Sequence, residues 1–244
     1  MKILLIGNSY TYYNDMPTVY FQELVKELDP DATVDAVTCG GWTLEKFADS
    51  KIPLGKEIDE MLEKNAYDVV VLQEQSVRPA SEHGYAAFFD GARRLAKKIQ
   101  STSAKLVFYA TWSHETGSQT LADYGWTHEE MTWRLAASYH AIAEELGGAV
   151  ANVGFAFREI VRSAPEIDLY AHDRRSHPSP TGSYLAALTL VGKILESDPR
   201  CFVFRGVEDE AQDQKLKKAA AGALLQAPEI PPLYRISSRG ISST

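Results

Sequence analysis

Short, unbroken apolar runs separated by long helical stretches constrain this chain more than any other feature. The runs fall at residues 2–6, 33–38, 68–72, 105–110 and 149–153, and between and after them lie helical patterns at 18–28, 55–64, 85–100, 128–146 and 182–195. A run such as Val69-Val70-Val71-Leu72 shows no polar alternation, as expected of a strand covered on both faces. Parallel neighbours need a crossover connection, and the intervening helices supply it. The pattern therefore predicts an α/β fold, a three-layer α/β/α sandwich around a parallel five-stranded sheet. A length of 244 residues suits one domain, placed at 1–227. Pro228, Pro231 and Pro232 then break the helical pattern and open a tail, 228–244, that ends in polar, Ser-rich sequence.

Local signals refine the picture. Asp15 and Pro17 mark the start of the first helix, and Pro199 closes the one at 182–195. Residues 201–204 read as an edge strand and 208–225 as a last helix. The connection at 111–127 carries Trp112, His114, Tyr124 and Trp126 without a clear period. Loops of this length are uncommon and tend to bind something. Its aromatics either cap the sheet or form a stacking surface for an acyl group or sugar ring.

Charge and composition narrow the function. Asp plus Glu number 33 against 25 Lys plus Arg, a net charge of −8, and no long basic run exists, so a nucleic-acid partner is not expected. Two cysteines, Cys39 and Cys201, make neither a disulfide framework nor a zinc site; Cys39 reads as a small buried residue and no metal is expected. The chain opens on a strand rather than a secretory signal, and no apolar run approaches the roughly 18 residues of a membrane span. A cytoplasmic protein without membrane association is the default expectation.

The chemistry concentrates at two places. Gly7-Asn8-Ser9 follows the first strand directly, at the carboxyl edge where open α/β sheets place their ligands. Ser9 is a candidate nucleophile if a base can reach it; otherwise it is a turn or capping serine. Far downstream, His172-Asp173-Arg174-Arg175-Ser176-His177-Pro178 precedes a strong helix. His177 is the candidate base and Asp173 the candidate orienting acid.

Gly7-Asn8-Ser9-Tyr10-Thr11 resembles the nucleophile block of the SGNH/GDSL hydrolases, whose usual Gly-Asp-Ser varies to Gly-Asn-Ser. Cys39-Gly40-Gly41-Trp42-Thr43 resembles the block that donates a backbone N–H to the oxyanion, with Gly41 as the matching glycine. His177-Pro178 resembles the terminal block. The three blocks stand in family order over residues 5–187. The resemblance implies a flavodoxin-like sandwich and ester hydrolysis by Ser9, His177 and Asp173, without metal or cofactor. It also implies an oxyanion hole that includes the Ser9 and Gly41 N–H groups.

Two positions depart from the family pattern. Its third block reads Gly-x-Asn-Asp, whereas this chain has Gln73-Glu74-Gln75-Ser76. A glutamine carries the same NH2 donor as asparagine. Gln73 is the first choice, because Gln-x-x-Ser resembles the Gln-Gly-Glu-Ser of sialate and xylan acetylesterase-like relatives; Gln75 aligns by counting and is the runner-up. The family also places aspartate three residues before the histidine, where this chain has Arg174. Either Asp173 reaches the imidazole across a longer loop, or a backbone carbonyl takes the role.

The expected substrate is a small-molecule ester, a short acyl group and chiefly acetyl, on a carbohydrate or other small alcohol. Tyr10 and Trp112 are the candidate substrate-binding residues, with Tyr12 and Tyr13 nearby. Turnover is expected to fall below about pH 6–7, where an imidazole protonates. Two other classes stay open: a catalytically silent carbohydrate binder of the same fold, and a nucleotide or flavin binder. The glycine turn lacks a Walker lysine and a Gly-x-Gly-x-x-Gly, which counts against the last. The sequence leaves the oligomeric state open.

Overall fold

Strands β1 (Lys2–Gly7), β2 (Thr33–Thr38), β3 (Val69–Leu72), β4 (Lys105–Tyr109) and β5 (Ala149–Ala151) form one parallel sheet in the order β2-β1-β3-β4-β5. The computed structural model describes residues 1–172, 175–225 and 228–235. Register sets the site. Ile6 pairs with Val37 on one side and Leu72 on the other, so β1, β2 and β3 end level. The residues that follow them, from 8, 39 and 73, leave the same edge.

Alternate residues of each strand feed two cores. Ile3, Leu5, Val69, Val71, Val107 and Tyr109 face one layer, formed by α2 (Gln22–Lys26), α8 (Val153–Ser163), α9 (Pro180–Ile194) and α10 (Glu210–Leu224). Leu4, Ile6, Val70, Leu72 and Phe108 face the other, formed by α3 (Leu44–Phe47), α4 (Pro53–Lys64), α5 (Tyr85–Ile99) and α7 (His128–Leu146). Short helices α1 (Ser9–Tyr12) and α6 (Gln119–Tyr124) sit at the carboxyl edge. This is the three-layer sandwich that the alternation predicts. α7 begins on a reciprocal cap, Thr127 with Glu130, and ends on Gly147 in the left-handed region, which explains why its bounds were legible in sequence. Among the described residues no helix is long and apolar enough to cross a membrane.

Three expectations need correction. The fifth strand stops at Ala151, and the apolar residues beyond it belong to α8, which buries Val153, Ala156, Phe157 and Ile160 at i, i+3, i+4 and i+7. Residues 201–204 form no strand: a 3-10 turn at Pro199–Cys201 leads into a segment whose Val203 and Phe204 N–H groups donate to the Glu27 carboxylate. A side chain has taken the bonds that a neighbouring strand would supply. The first helix begins as a π-helical stretch at Pro17–Phe21 before α2.

Candidate active site

The nucleophile turn is built by close backbone approach. A Cβ on Gly7 would lie 2.3 Å from Thr11 Oγ1 and 2.6 Å from Gln73 Oε1, so only glycine lets the strand end against both. Asn8 caps α1 by accepting the Tyr10 N–H, and its Nδ2 donates to the Trp42 carbonyl at 2.9 Å. An aspartate could not make that second bond. Asn8 thereby ties the Ser9 turn to the loop carrying Gly41. Gly41 adopts φ +69°, and nothing crowds its α-carbon, so the demand for glycine there is conformational.

His177 reaches the serine. Its Nε2 lies 2.9 Å from Ser9 Oγ, within reach for proton transfer when Nε2 is the unprotonated nitrogen. The residues on either side of the histidine are held firmly. Its carbonyl accepts the Ala171 N–H, and Tyr170 bridges Pro178. Asn14 donates to the Pro178 carbonyl at 3.0 Å. Tyr13 stacks on the imidazole with ring centroids 4.2 Å apart, and Tyr10 meets it edge-on at 5.9 Å. Asp173, the expected orienting acid, lies outside the described residues. Arg175 forms an ion pair with Glu115 at 3.1 Å.

The three residues after β3 divide the work between them. Gln73 is fully buried, and its Oε1 accepts the Asn8 N–H at 2.8 Å and the Thr11 hydroxyl at 2.9 Å. Its NH2 donates to the Glu74 carbonyl. This corrects the preference for Gln73 as oxyanion donor: its amide is spent beneath the nucleophile turn and does not line the cleft. Gln75 does line it. The Val77 and Arg78 N–H groups donate to Gln75 Oε1, which fixes the amide's orientation and leaves Nε2 toward Ser76 Oγ at 3.2 Å. Glu74, between them, was not singled out in the sequence. It is fully buried; its Oε1 accepts the Gln75 N–H and its Oε2 the Leu44 N–H, while Tyr139 Oη accepts the Glu74 N–H. Burial pushes its carboxyl up to about 7, against the pull of those N–H bonds.

These groups line an open cleft of about 580 Å³ that takes in Ser9, Gly41, Gln75, Ser76, His114 and His177. Among the described residues no Asp, Glu, Lys or Arg lines it. His114 Nε2 lies 3.2 Å from Ser76 Oγ, and burial, aided by His177, pushes its imidazole down to about 4, so it is uncharged near neutrality. Tyr10, Tyr12 and Tyr13 reach the cleft. Trp112 does not, which corrects its expected substrate role. It is fully buried between Tyr10 and Phe157, with ring centroids 4.4 and 4.2 Å away. Its Nε1 donates to the Ser176 carbonyl at 2.9 Å, and the Glu115 N–H donates to the Arg175 carbonyl. Trp112 and the Glu115 N–H, from the aromatic loop after β4, therefore anchor the histidine loop. Among the described residues no three His, Cys, Asp or Glu side chains are grouped to hold a metal ion.

The chain matches no family model and no curated protein. Solved structures do resemble it. An acetyl xylan esterase matches at 14% identity and TM-score 0.56, covering 78% of this chain and 98% of that one. A DUF4886 family protein from Bacteroides uniformis matches at 17% identity and TM-score 0.76, over 96% of this chain and 98% of the other. Those two share the fold. A protein from Slackia heliotrinireducens described as an SGNH hydrolase is 34% identical, with TM-score 0.68, and the match covers 80% of this chain and 98% of that one. With that identity over nearly the whole relative, and with its nucleophile, glycine and histidine blocks converging on one sheet edge, this chain belongs to the SGNH hydrolases.

Proposed function

We propose that this protein is a serine esterase that removes short acyl groups, chiefly acetyl, from small neutral alcohols such as carbohydrates. The observation that carries the proposal is the 2.9 Å contact between Ser9 Oγ and His177 Nε2 in an open cleft. His177 takes the Ser9 proton as Oγ bonds to the ester carbonyl carbon, and the carbonyl electron pair moves onto oxygen. The Ser9 and Gly41 N–H groups and the Gln75 NH2 receive that oxyanion. Collapse breaks the bond to the alcohol, which leaves with the proton from His177. Water, deprotonated by His177, then attacks the acyl-enzyme, and Ser9 leaves with that proton. Asp173 is the proposed orienting acid on sequence grounds.

The lining of the cleft supports this substrate class. Hydroxyl, amide and imidazole groups, with no charged side chain among the described residues of the lining, suit a neutral, hydroxyl-bearing alcohol better than an anionic one or a long alkyl chain. The acetyl xylan esterase among the structural neighbours is in keeping with this.

The test is intact mass after incubation with a fluorophosphonate, on wild type, Ser9→Ala and His177→Ala. The expected result is one adduct on wild type, none on Ser9→Ala and strongly slowed labelling of His177→Ala. Rates on p-nitrophenyl esters of increasing acyl length, and on acetylated xylose, then locate the substrate. An unlabelled wild type refutes the esterase proposal and turns attention to carbohydrate binding without catalysis.

A further inference from the structure

The reaction outlined above makes no use of Glu74, although a buried carboxyl with no ion-pair partner among the described residues is costly to keep. Its two oxygens have two separate destinations. Oε1 accepts the Gln75 N–H at 2.6 Å, and Oε2 accepts the Leu44 N–H at 3.1 Å. Leu44 opens α3, three residues after Gly41, and Gln75 carries the carboxamide that lines the cleft. One side chain thus joins the two segments that would supply oxyanion donors beyond Ser9.

We propose that Glu74 is a positioning residue whose ionised carboxylate holds the Gly41 loop and Gln75 in the geometry that receives the oxyanion, so that its protonation slows turnover. The inference rests on the esterase proposal above. A carboxylate accepts at both oxygens, whereas a carboxylic acid keeps one acceptor and turns an O–H toward the other N–H. Protonation therefore releases one of the two segments. The charged and titratable groups around Glu74 are few. Arg78 favours its ionised form and Glu45 opposes it, the two being paired with each other at 3.2 Å, and the Tyr139 hydroxyl sits against the Glu74 N–H. Burial places the transition near neutral pH, at about 7.

The test compares kcat of wild type and Glu74→Gln on p-nitrophenyl acetate from pH 5 to 8.5, with KM and circular dichroism followed at each pH. An amide keeps one acceptor oxygen and does not titrate. The expected result is that Glu74→Gln is about tenfold slower at pH 8.5 with little change in KM, a fraction of what loss of a whole oxyanion donor costs. The ratio should shrink toward one at pH 5, where wild-type Glu74 is itself protonated. A purely structural role gives a ratio independent of pH, and that result, or equal rates at pH 8.5, overturns the inference. Should Glu74→Gln not fold, the wild-type rate of fluorophosphonate labelling decides: an acid limb steeper than one proton supports the inference, and a one-proton limb refutes it. A wild type that takes no adduct fails the esterase proposal and the inference together. A labelled wild type with a pH-independent ratio fails the inference alone.

Discussion

Replacing Gln75 and Gln73 by alanine, one at a time, separates the two candidate oxyanion donors by the kind of damage each change does. Gln75 lines the cleft, with its carbonyl held by two backbone N–H groups and its NH2 directed to Ser76 at the cleft wall. Loss of one preorganised oxyanion donor costs about 10²–10³ in kcat, roughly 3–4 kcal/mol in the transition state. Gln75→Ala should show that loss with KM little changed and the unfolding midpoint slightly lowered. Gln73 is fully buried and satisfies the Asn8 N–H, the Thr11 hydroxyl and the Glu74 carbonyl. Each buried group left without a partner costs about 1–3 kcal/mol. Gln73→Ala should therefore lose about 3–5 kcal/mol of stability, a large share of the roughly 5–15 kcal/mol of a typical domain. The assays are steady-state kinetics on p-nitrophenyl acetate and urea unfolding followed by circular dichroism. If Gln73→Ala unfolds at the wild-type urea concentration but is a hundredfold slower, while Gln75→Ala turns over normally, the assignment made from the geometry is wrong.

Three further outcomes are expected. Trp112→Ala should cost about 3–5 kcal/mol of stability, since it empties a buried stack between Tyr10 and Phe157; a well-folded variant with only a raised KM would restore Trp112 as a substrate contact. Lys217 and Asp213 form a buried pair at 2.8 Å, joined by the Tyr184 hydroxyl on Asp213 and the Phe202 carbonyl on Lys217. Lys217→Met should lose about 3–5 kcal/mol by leaving the carboxylate uncompensated, and adding Asp213→Leu should recover part of it; a double variant no better than the single one would count against the pair. The last concerns pH. Glu74 has a folded value raised to about 7, so its contribution to stability is present below the ordinary carboxyl range and is lost as pH rises toward 7. His114, lowered to about 4, works the other way and loses stability as pH falls below about 6.5. The two oppose each other in wild type, so the difference between Glu74→Gln and wild type isolates the first: between pH 5 and pH 8 it should move by about 3 kcal/mol in favour of the variant. A difference that does not vary with pH in urea titrations would refute the raised value.

Much of this protein is legible in its sequence, for reasons specific to particular segments. Val69–Leu72 could hardly be anything but a central strand, because an unbroken apolar run of strand length needs cover on both faces. Gly7-Asn8-Ser9 at the end of β1 and His177 before α9 stood out because a tight turn and a helix start leave marks in the chain. Residues 153–160 were hidden by continuity: β5 runs almost directly into α8, and Val153 satisfies either period.

Composition, periodicity and turn residues determined the layered sheet, the edge on which the chemistry lies and the identity of Ser9 and His177 as partners worth testing. Those properties are local, or follow from burying one face of each element. Which glutamine faces the cleft, where Trp112 points and what Glu74 holds were decided only by tertiary structure. Gln73 and Gln75 are the same residue type two positions apart just beyond one strand end, and only the packing of Asn8 and Thr11 over the first distinguishes them. Trp112 has the chemistry of a sugar-stacking surface and the location of a core residue, and the partners that bury it come from residues 10 and 157. Sequence specifies what each side chain can offer; contacts between residues distant in the chain decide what it does.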